Sequence, residues 1–240
     1  MSSMIVRNPE SIYQIEGQIE KGTFHGRWHF SFGEYYDPRF SHFGTLRVLN
    51  DDTLSPGAVW PLHPHKENEV VTYCAAGEFR HADERGKGGV LRKGWVQHTT
   101  IGRGMWHSEI NNLPDEPMRF IQMWFIPSKK GMTPSVEQKE VMRKERTNRL
   151  LPLVSNRHSG ALRIISDAGV YSCVLQKEKT VKHALEKGRG AYLYILEGDD
   201  VIVNGNRLQA LAAALVTEEE LILIRAEGES ELLLVDVSLL

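Results

Sequence analysis

Apolar residues along this chain come in short runs of four to eight, separated by glycines and polar clusters. Nowhere do they recur at the helical spacing of three and four over a dozen positions. Short, bounded runs rich in β-branched and aromatic residues predict strands. Runs of this kind lie at 43–49, 59–62, 69–74, 78–82, 96–101 and 119–126, and again at 161–166, 170–176, 191–196, 200–203, 213–216, 221–225 and 231–237. The chain therefore reads as all-β, with about a dozen short strands. The best helix candidate is SVEQKEVMRKERTN (135–148), whose only apolar residues are Val136, Val141 and Met142. A segment that polar reads as a solvated connector with a helical turn rather than a packed helix. It divides the chain into 1–135, a connector at 136–150, and 151–240.

The 21 glycines are spread along the 240 residues rather than clustered, as turns between many strands require. The halves echo each other. VVTYCAAGE (70–78) resembles YLYILEGD (192–199), each an apolar strand that ends on a glycine and a polar residue. A period near 120 residues is duplication of a domain rather than a solenoid.

Composition narrows the function classes. Apolar content of 41% and charged content of 25% are ordinary globular values. With 29 basic and 31 acidic residues the net charge is −2, which gives no reason to expect nucleic acid or an anionic membrane as partner. No apolar stretch approaches a membrane span, and the start MSSMIVR lacks the apolar core of a secretory leader, so the expected location is the cytoplasm. Cys74 and Cys173 read as small buried residues on strands.

The chemistry concentrates in two segments. In GAVWPLHPHKENE (57–69), His63 and His65 are two apart, so an extended chain presents both on one face. Pro64 between them suits an edge strand. In GRGMWHSEIN (102–111), His107 and Glu109 repeat that spacing just after a glycine turn. Three imidazoles and a carboxylate suit Fe(II), Mn, Ni, Cu or Zn, and not the all-oxygen shells of Ca or Mg. Spacing alone does not bring the two pairs together.

These segments fit the cupin patterns Gly-x5-His-x-His-x3-Glu (Gly57, His63, His65, Glu69) and Gly-x2-His-x3-Asn (Gly104, His107, Asn111). With WHFSFGEYYDP (28–38), LRVLNDD (46–52) and QMWFIP (122–127), the chain resembles the pirin family of bicupins, including its quercetinase-like bacterial members. The likeness covers most of residues 25–135 and is looser beyond 150. It implies two β jelly rolls packed face to face. It also implies one divalent transition metal per chain, held by His63, His65, His107 and Glu109. Fe(II) is the first expectation, with Mn, Ni, Cu, Co or Zn as alternatives. Glu69 then either lines the pocket or hydrogen-bonds behind a ligand, and His81 is a candidate pocket wall.

The implied activity is a dioxygenase that opens flavonols such as quercetin with O2, Glu109 acting as base. Its partners would be a small aromatic substrate and O2. The alternatives are a metal-binding regulator or redox sensor that contacts a protein partner without turnover, and a different cupin reaction. A monomer is expected. The polar 66–68 stretch departs from the family and predicts a wetter pocket rim. His25, His29, His42 and His98 read as structural. Tyr192, Tyr194, Leu196, Leu223 and Val235 are expected to fill a second barrel without a metal, since neither His158 nor His183 is followed two residues on by His, Asp or Glu.

Overall fold

A computed structural model of the chain describes residues 4–84 and 88–239. In chain order the strands of the first half are β1 (Met4–Arg7), β2 (Tyr13–Gln18), β3 (Thr23–Trp28), β4 (Leu46–Leu54), β5 (Val59–His65), β6 (Glu69–Ala76), β7 (Glu78–Asp83), β8 (Gly88–Arg92), β9 (Val96–Thr100), β10 (Met105–Asn111), β11 (Met118–Phe125) and β12 (Ser135–Lys139). The second half adds β13 (Leu151–Ser155), β14 (Ala168–Leu175), β15 (Thr180–Ala184), β16 (Arg189–Gly198), β17 (Val201–Val203), β18 (Asn206–Leu208), β19 (Ala213–Thr217), β20 (Leu221–Ala226) and β21 (Ser230–Ser238).

They form two copies of one architecture. The first is a sheet ordered β12-β9-β6-β11-β4-β3-β2 facing a smaller sheet β5-β10-β7-β8. The second is β1-β19-β16-β21-β14-β13 facing β15-β20-β17-β18. Every strand but the outer β2 thus has a counterpart at the same place in the other unit, among them β5 with β15, β10 with β20, β4 with β14 and β11 with β21. This is the two-jelly-roll bicupin fold that the strand pattern and the resemblance predict. No helix among the described residues is long and apolar enough to cross a membrane.

The halves meet through their larger sheets. Phe30, Val71, Tyr73 and Ile121 pack there against Tyr192, Tyr194, Leu233 and Val235. Polar clamps cross the same boundary. Tyr194 donates across it to the Asp51 carboxylate at 2.5 Å, and Arg119, in the same half as Asp51, holds that carboxylate with two 2.7 Å bonds and donates across to the Leu196 carbonyl at 3.1 Å. Burial of that carboxylate opposes ionisation, but the Arg119 guanidinium outweighs it and holds Asp51 below the usual range.

Several expectations are corrected here. Tyr192, Tyr194, Leu196 and Val235 pack in the seam between the halves, and the second barrel is filled instead by Cys173, Ala191, Leu193, Ile195, Ile222, Leu232 and Leu234. Leu223 is 40% exposed. β16 is apolar on both faces, and a strand of that kind carries no parity signal. Segment 161–166 is not a strand. Leu162 makes one isolated bridge to Val154, and the backbone N–H groups of Ile165 and Ser166 are taken by Glu69. The 135–148 segment opens as β12 on the edge of the first sheet, and its helical turn is the single 3-10 turn Arg143–Glu145. β1 leaves its own half and pairs with β19, the place that β12 occupies beside β9. Among the strands with no apolar run to announce them are β2, β3, β8, β13 and β15. Cys74 and Cys173 are buried and unpaired, their thiols pushed up to about 11 by burial.

Candidate metal centre

β5 is the outer strand of its sheet, so Pro64 costs no ladder bond, in line with the sequence reading. β10 runs antiparallel beside it and sets His107 opposite His63. A register shift follows, and Glu109 pairs with Trp60. The ring centroids of His63, His65 and His107 lie 4.6–5.0 Å apart. One nitrogen from each falls within 4.8 Å of the others. The pairing that the spacing left open is therefore made by strand register.

The nitrogens divide into held and free. His63 Nδ1 donates to the Pro61 carbonyl at 2.7 Å, which leaves its Nε2 as the basic atom. His107 Nδ1 lies 3.0 Å from His81 Nε2. His65 Nε2 and His107 Nε2 are buried with no hydrogen-bond partner. Burial pushes His107 down to about 3, helped by the neighbouring His63 and His81. Burial likewise pushes His65 to about 4, next to His107 and His63. Both rings are thus neutral at ordinary pH with unsatisfied lone pairs, the state a metal requires. Together with the His63 nitrogen close by, they suit a first-row transition ion, and the residues present fit one.

Glu109 is 4% exposed and lines the same cavity, where Gln122 Nε2 donates to its Oε1. The close donor group comprises the three histidines and does not extend to this carboxylate. His81 is not a pocket wall. It stands opposite Glu109 on β7 and behind His107. A His107 that offers Nε2 to a metal carries its proton on Nδ1 and donates it to His81 Nε2, which fixes both tautomers.

Glu69 faces away from the site altogether. Its carboxylate accepts from Ile165 N at 2.9 Å, Ser166 N at 2.7 Å and Ser166 Oγ at 2.6 Å, with His98 Nε2 at 3.2 Å. Burial opposes ionisation here, yet those donors outweigh it and keep Glu69 below the usual carboxylate range. It ties the two halves of the molecule together. The 66–68 stretch is a turn rather than a rim: Glu67 sits at φ 55° and its carboxylate accepts from Gly131 N.

The cavity holds about 100 Å³ and is walled by Trp28, Phe32, Trp60, Phe120 and Trp124. Trp124 sets its ring edge-on to His65 at 4.6 Å and donates from Nε1 to Gln122 Oε1 at 2.8 Å. Phe32 bridges Trp28 and Trp124 with perpendicular contacts at 5.0 and 5.2 Å. Sequence reasoning missed Asn50, Asp52 and Gln122, which line this space. The available signal was a row of polar side chains at alternate positions of otherwise apolar strands. Of the aromatics in the stretch WHFSFGEYYDP, Phe30 is in the seam, Trp28 and Phe32 line the cavity, and Tyr36 is 79% exposed.

In the other barrel β15 takes the place of β5. His183 stands opposite Ile222, where His63 stands opposite His107, and Leu185 follows two residues on where His65 follows His63. His183 Nε2 is bonded to Asp236 Oδ2 at 2.8 Å, and His158 Nε2 to the Tyr171 hydroxyl at 3.0 Å.

Two family models match the chain: Pirin over residues 13–125 and the quercetinase C-terminal cupin domain over residues 153–237. A pirin-like protein of Caulobacter vibrioides is 37% identical, across 98% of this chain and 100% of its own length. The quercetin 2,3-dioxygenase of Escherichia coli K12 is 33% identical, across 88% of this chain and 90% of its own. Among solved structures, Escherichia coli YhhW superposes with a TM-score of 0.91 at 28% identity, covering 99% of this chain and 98% of that one. A second structure, of the bacterial pirin YhhW in complex with nickel(II), gives 0.89 at 28% identity, covering 99% and 100%.

Proposed function

The chain belongs to the pirin family, and from that premise we propose that it is a metal-dependent dioxygenase that opens flavonols such as quercetin with O2. The observation that carries the reading is the pair of buried, unpartnered imidazole nitrogens, His65 Nε2 and His107 Nε2, beside an aromatic-walled cavity. In this reading His63, His65 and His107 hold one divalent metal, Fe(II) first, and Glu109 completes the set. When bound, such an ion would supply Lewis acidity toward an enol oxygen and redox chemistry with O2. The chain's own residues do the rest. Trp28, Phe32 and Trp124 hold a flat ring and keep water out. His81 orients His107 through its Nδ1. Gln122 holds Glu109 Oε1, and Oε2, once it loosens from the metal site, would take the proton of the substrate hydroxyl.

The test is aerobic assay of the iron, manganese, nickel, copper, cobalt and zinc forms against a flavonol panel. At least one form turns over, and Glu109→Gln lowers that rate by roughly 100-fold or more while part of the metal stays. Wild-type rates in metal-loaded Glu109→Gln would remove Glu109 as the base. A regulator without turnover is the second reading. It draws on Leu62 and Trp106, 51% and 49% exposed on the strands that carry the histidines, as a surface for a protein partner. Inactivity of every metal form toward every flavonol would favour it.

A further inference from the structure

Four polar side chains line the cavity beside the histidines: Asn50, Asp52, Glu109 and Gln122. Three of them have partners inside the protein. Gln122 donates to Glu109 and accepts from Trp124, and Trp28 Nε1 donates to Asp52 Oδ1 at 3.2 Å. Asn50 differs. It is 3% exposed, and its side-chain oxygen is buried with no hydrogen-bond partner among the described residues.

Folded proteins keep few orphaned polar atoms, and those they keep call for a reason. The backbone of Asn50 is fixed by pairing on both sides. It sits in the middle of β4, in register with Gln122 of β11 on one side and Trp28 of β3 on the other. Four residues further along the same inward face is Leu54, so the strand takes an apolar residue on that face. An amide at position 50 is thus a costly choice that packing does not require.

The cavity suggests what meets that need. Its volume of about 100 Å³ is well short of the roughly 300–1,000 Å³ that encloses a drug-sized ligand. Only the leading edge of a flat aromatic enters, and the remaining rings stay at the mouth. The entering group must bring a donor to the Asn50 oxygen. A hydroxyl does so, and because it also accepts, it suits the amide in either orientation.

We propose that Asn50 is the specificity-determining residue of this site: its side-chain amide pairs with a hydroxyl on the ring edge that enters the cavity. The site then favours hydroxylated aromatics over molecules of equal shape that lack the hydroxyl. This rests on the reading that the cavity takes an aromatic substrate, and it is independent of whether the substrate is then oxidised.

The test is anaerobic calorimetric titration of the metal-loaded protein with quercetin, with catechol, and with flavone, which keeps the three-ring skeleton without hydroxyls. Asn50→Leu is compared with wild type, and Asn50→Ala serves as a second variant should the branched side chain disturb the strand. Loss of one neutral hydrogen bond weakens quercetin and catechol binding by about 3- to 10-fold and leaves flavone unchanged. Metal content stays at the wild-type level. The melting temperature of the ligand-free variant does not fall, because an unsatisfied buried group has been replaced by an apolar one.

Equal quercetin affinity in wild type and both variants would mean that the Asn50 oxygen holds only a resident water, and would overturn the assignment. Equal weakening of quercetin and flavone, or a melting temperature lowered in both variants, would make Asn50 a packing residue and overturn it too. So would a wild-type protein that binds neither quercetin nor catechol. A wild type that binds quercetin without turning it over would instead remove the dioxygenase reading and leave Asn50 in place.

Discussion

At the scale of single residues, hydrogen bonds decide which nitrogen of each histidine is free. His63 has spent Nδ1 on the Pro61 carbonyl and His107 has spent Nδ1 on His81. Removing one imidazole of three leaves too few donors for a tight site. His63→Ala and His65→Ala are therefore expected to abolish stoichiometric metal by elemental analysis, while His25→Ala and His158→Ala retain it. His81 acts one step back. His81→Ala deletes the acceptor of the His107 Nδ1 proton, so metal affinity falls by about 10- to 100-fold in a chelator competition, with His81→Gln restoring part of it. Full affinity in His81→Ala would show that His107 is oriented without it. The pattern His-x-His was legible in the chain, and His81 was legible as a residue near the pocket, but its place behind His107 was not. It enters the site from β7, and nothing in its own neighbourhood of sequence marks that place.

At the scale of elements, register is the agent. The bulge between β5 and β10 sets Glu109 beside Trp60, and the cross-strand neighbours β4 and β11 deliver Asn50, Asp52 and Gln122. Glu69 shows how sequence parity misleads at a strand start. Counting from His65 gives it the same face, but the turn at 66–68, with Glu67 at φ 55°, breaks the extended chain and resets the parity. Its carboxylate instead fastens the loop at 165–166 onto β6. Glu69→Ala leaves one buried and one part-buried backbone N–H group without an acceptor and is expected to lower unfolding free energy by roughly 2–4 kcal/mol in urea titration. Metal content is expected to stay at the wild-type value, and loss of metal in a folded Glu69→Ala protein would restore it as a ligand candidate.

At the scale of the whole molecule, the two barrels share one strand order and differ in what they carry inward. The counterpart of His107 is Ile222 and that of His65 is Leu185, so His183 stands alone and is bonded to Asp236. We expect one metal per chain, and a second full anomalous peak within residues 150–240 of a metal-loaded crystal would contradict this. The seam between the barrels is also acid-sensitive. His29, bonded to the Tyr192 hydroxyl across it, is pushed down to about 3 by burial and the nearby Arg7. Its folded-state value is below the unfolded one, so the unfolded chain binds the proton first. Stability is unaffected well above pH 6.5 and falls as pH drops through 6.5 toward 3, by up to about 1.4 kcal/mol per pH unit for this group. His29→Gln should flatten the dependence of the urea midpoint between pH 6.5 and 5 by close to one proton. An unchanged slope would mean that His29 does not report the unfolding.

The sequence by itself determined the all-β class, the duplication and the two metal-type pairs. These are local properties, written in glycine-bounded apolar runs and in the two-residue period of an extended chain. It also carried the resemblance, because WHFSFGEYYDP, His-x-His and His-x-Glu stand within a single stretch. Only the tertiary structure decided which face of β16 meets the other barrel, since a strand apolar on both sides has no preferred face. It alone sent β1 to the distant sheet, made Glu69 a clamp, placed His81 behind His107, and left Asn50 without a partner inside the cavity. Each of these depends on a neighbour tens of residues away. Pairing register and turn geometry choose such neighbours, and neither is encoded in the spacing of the residues they bring together.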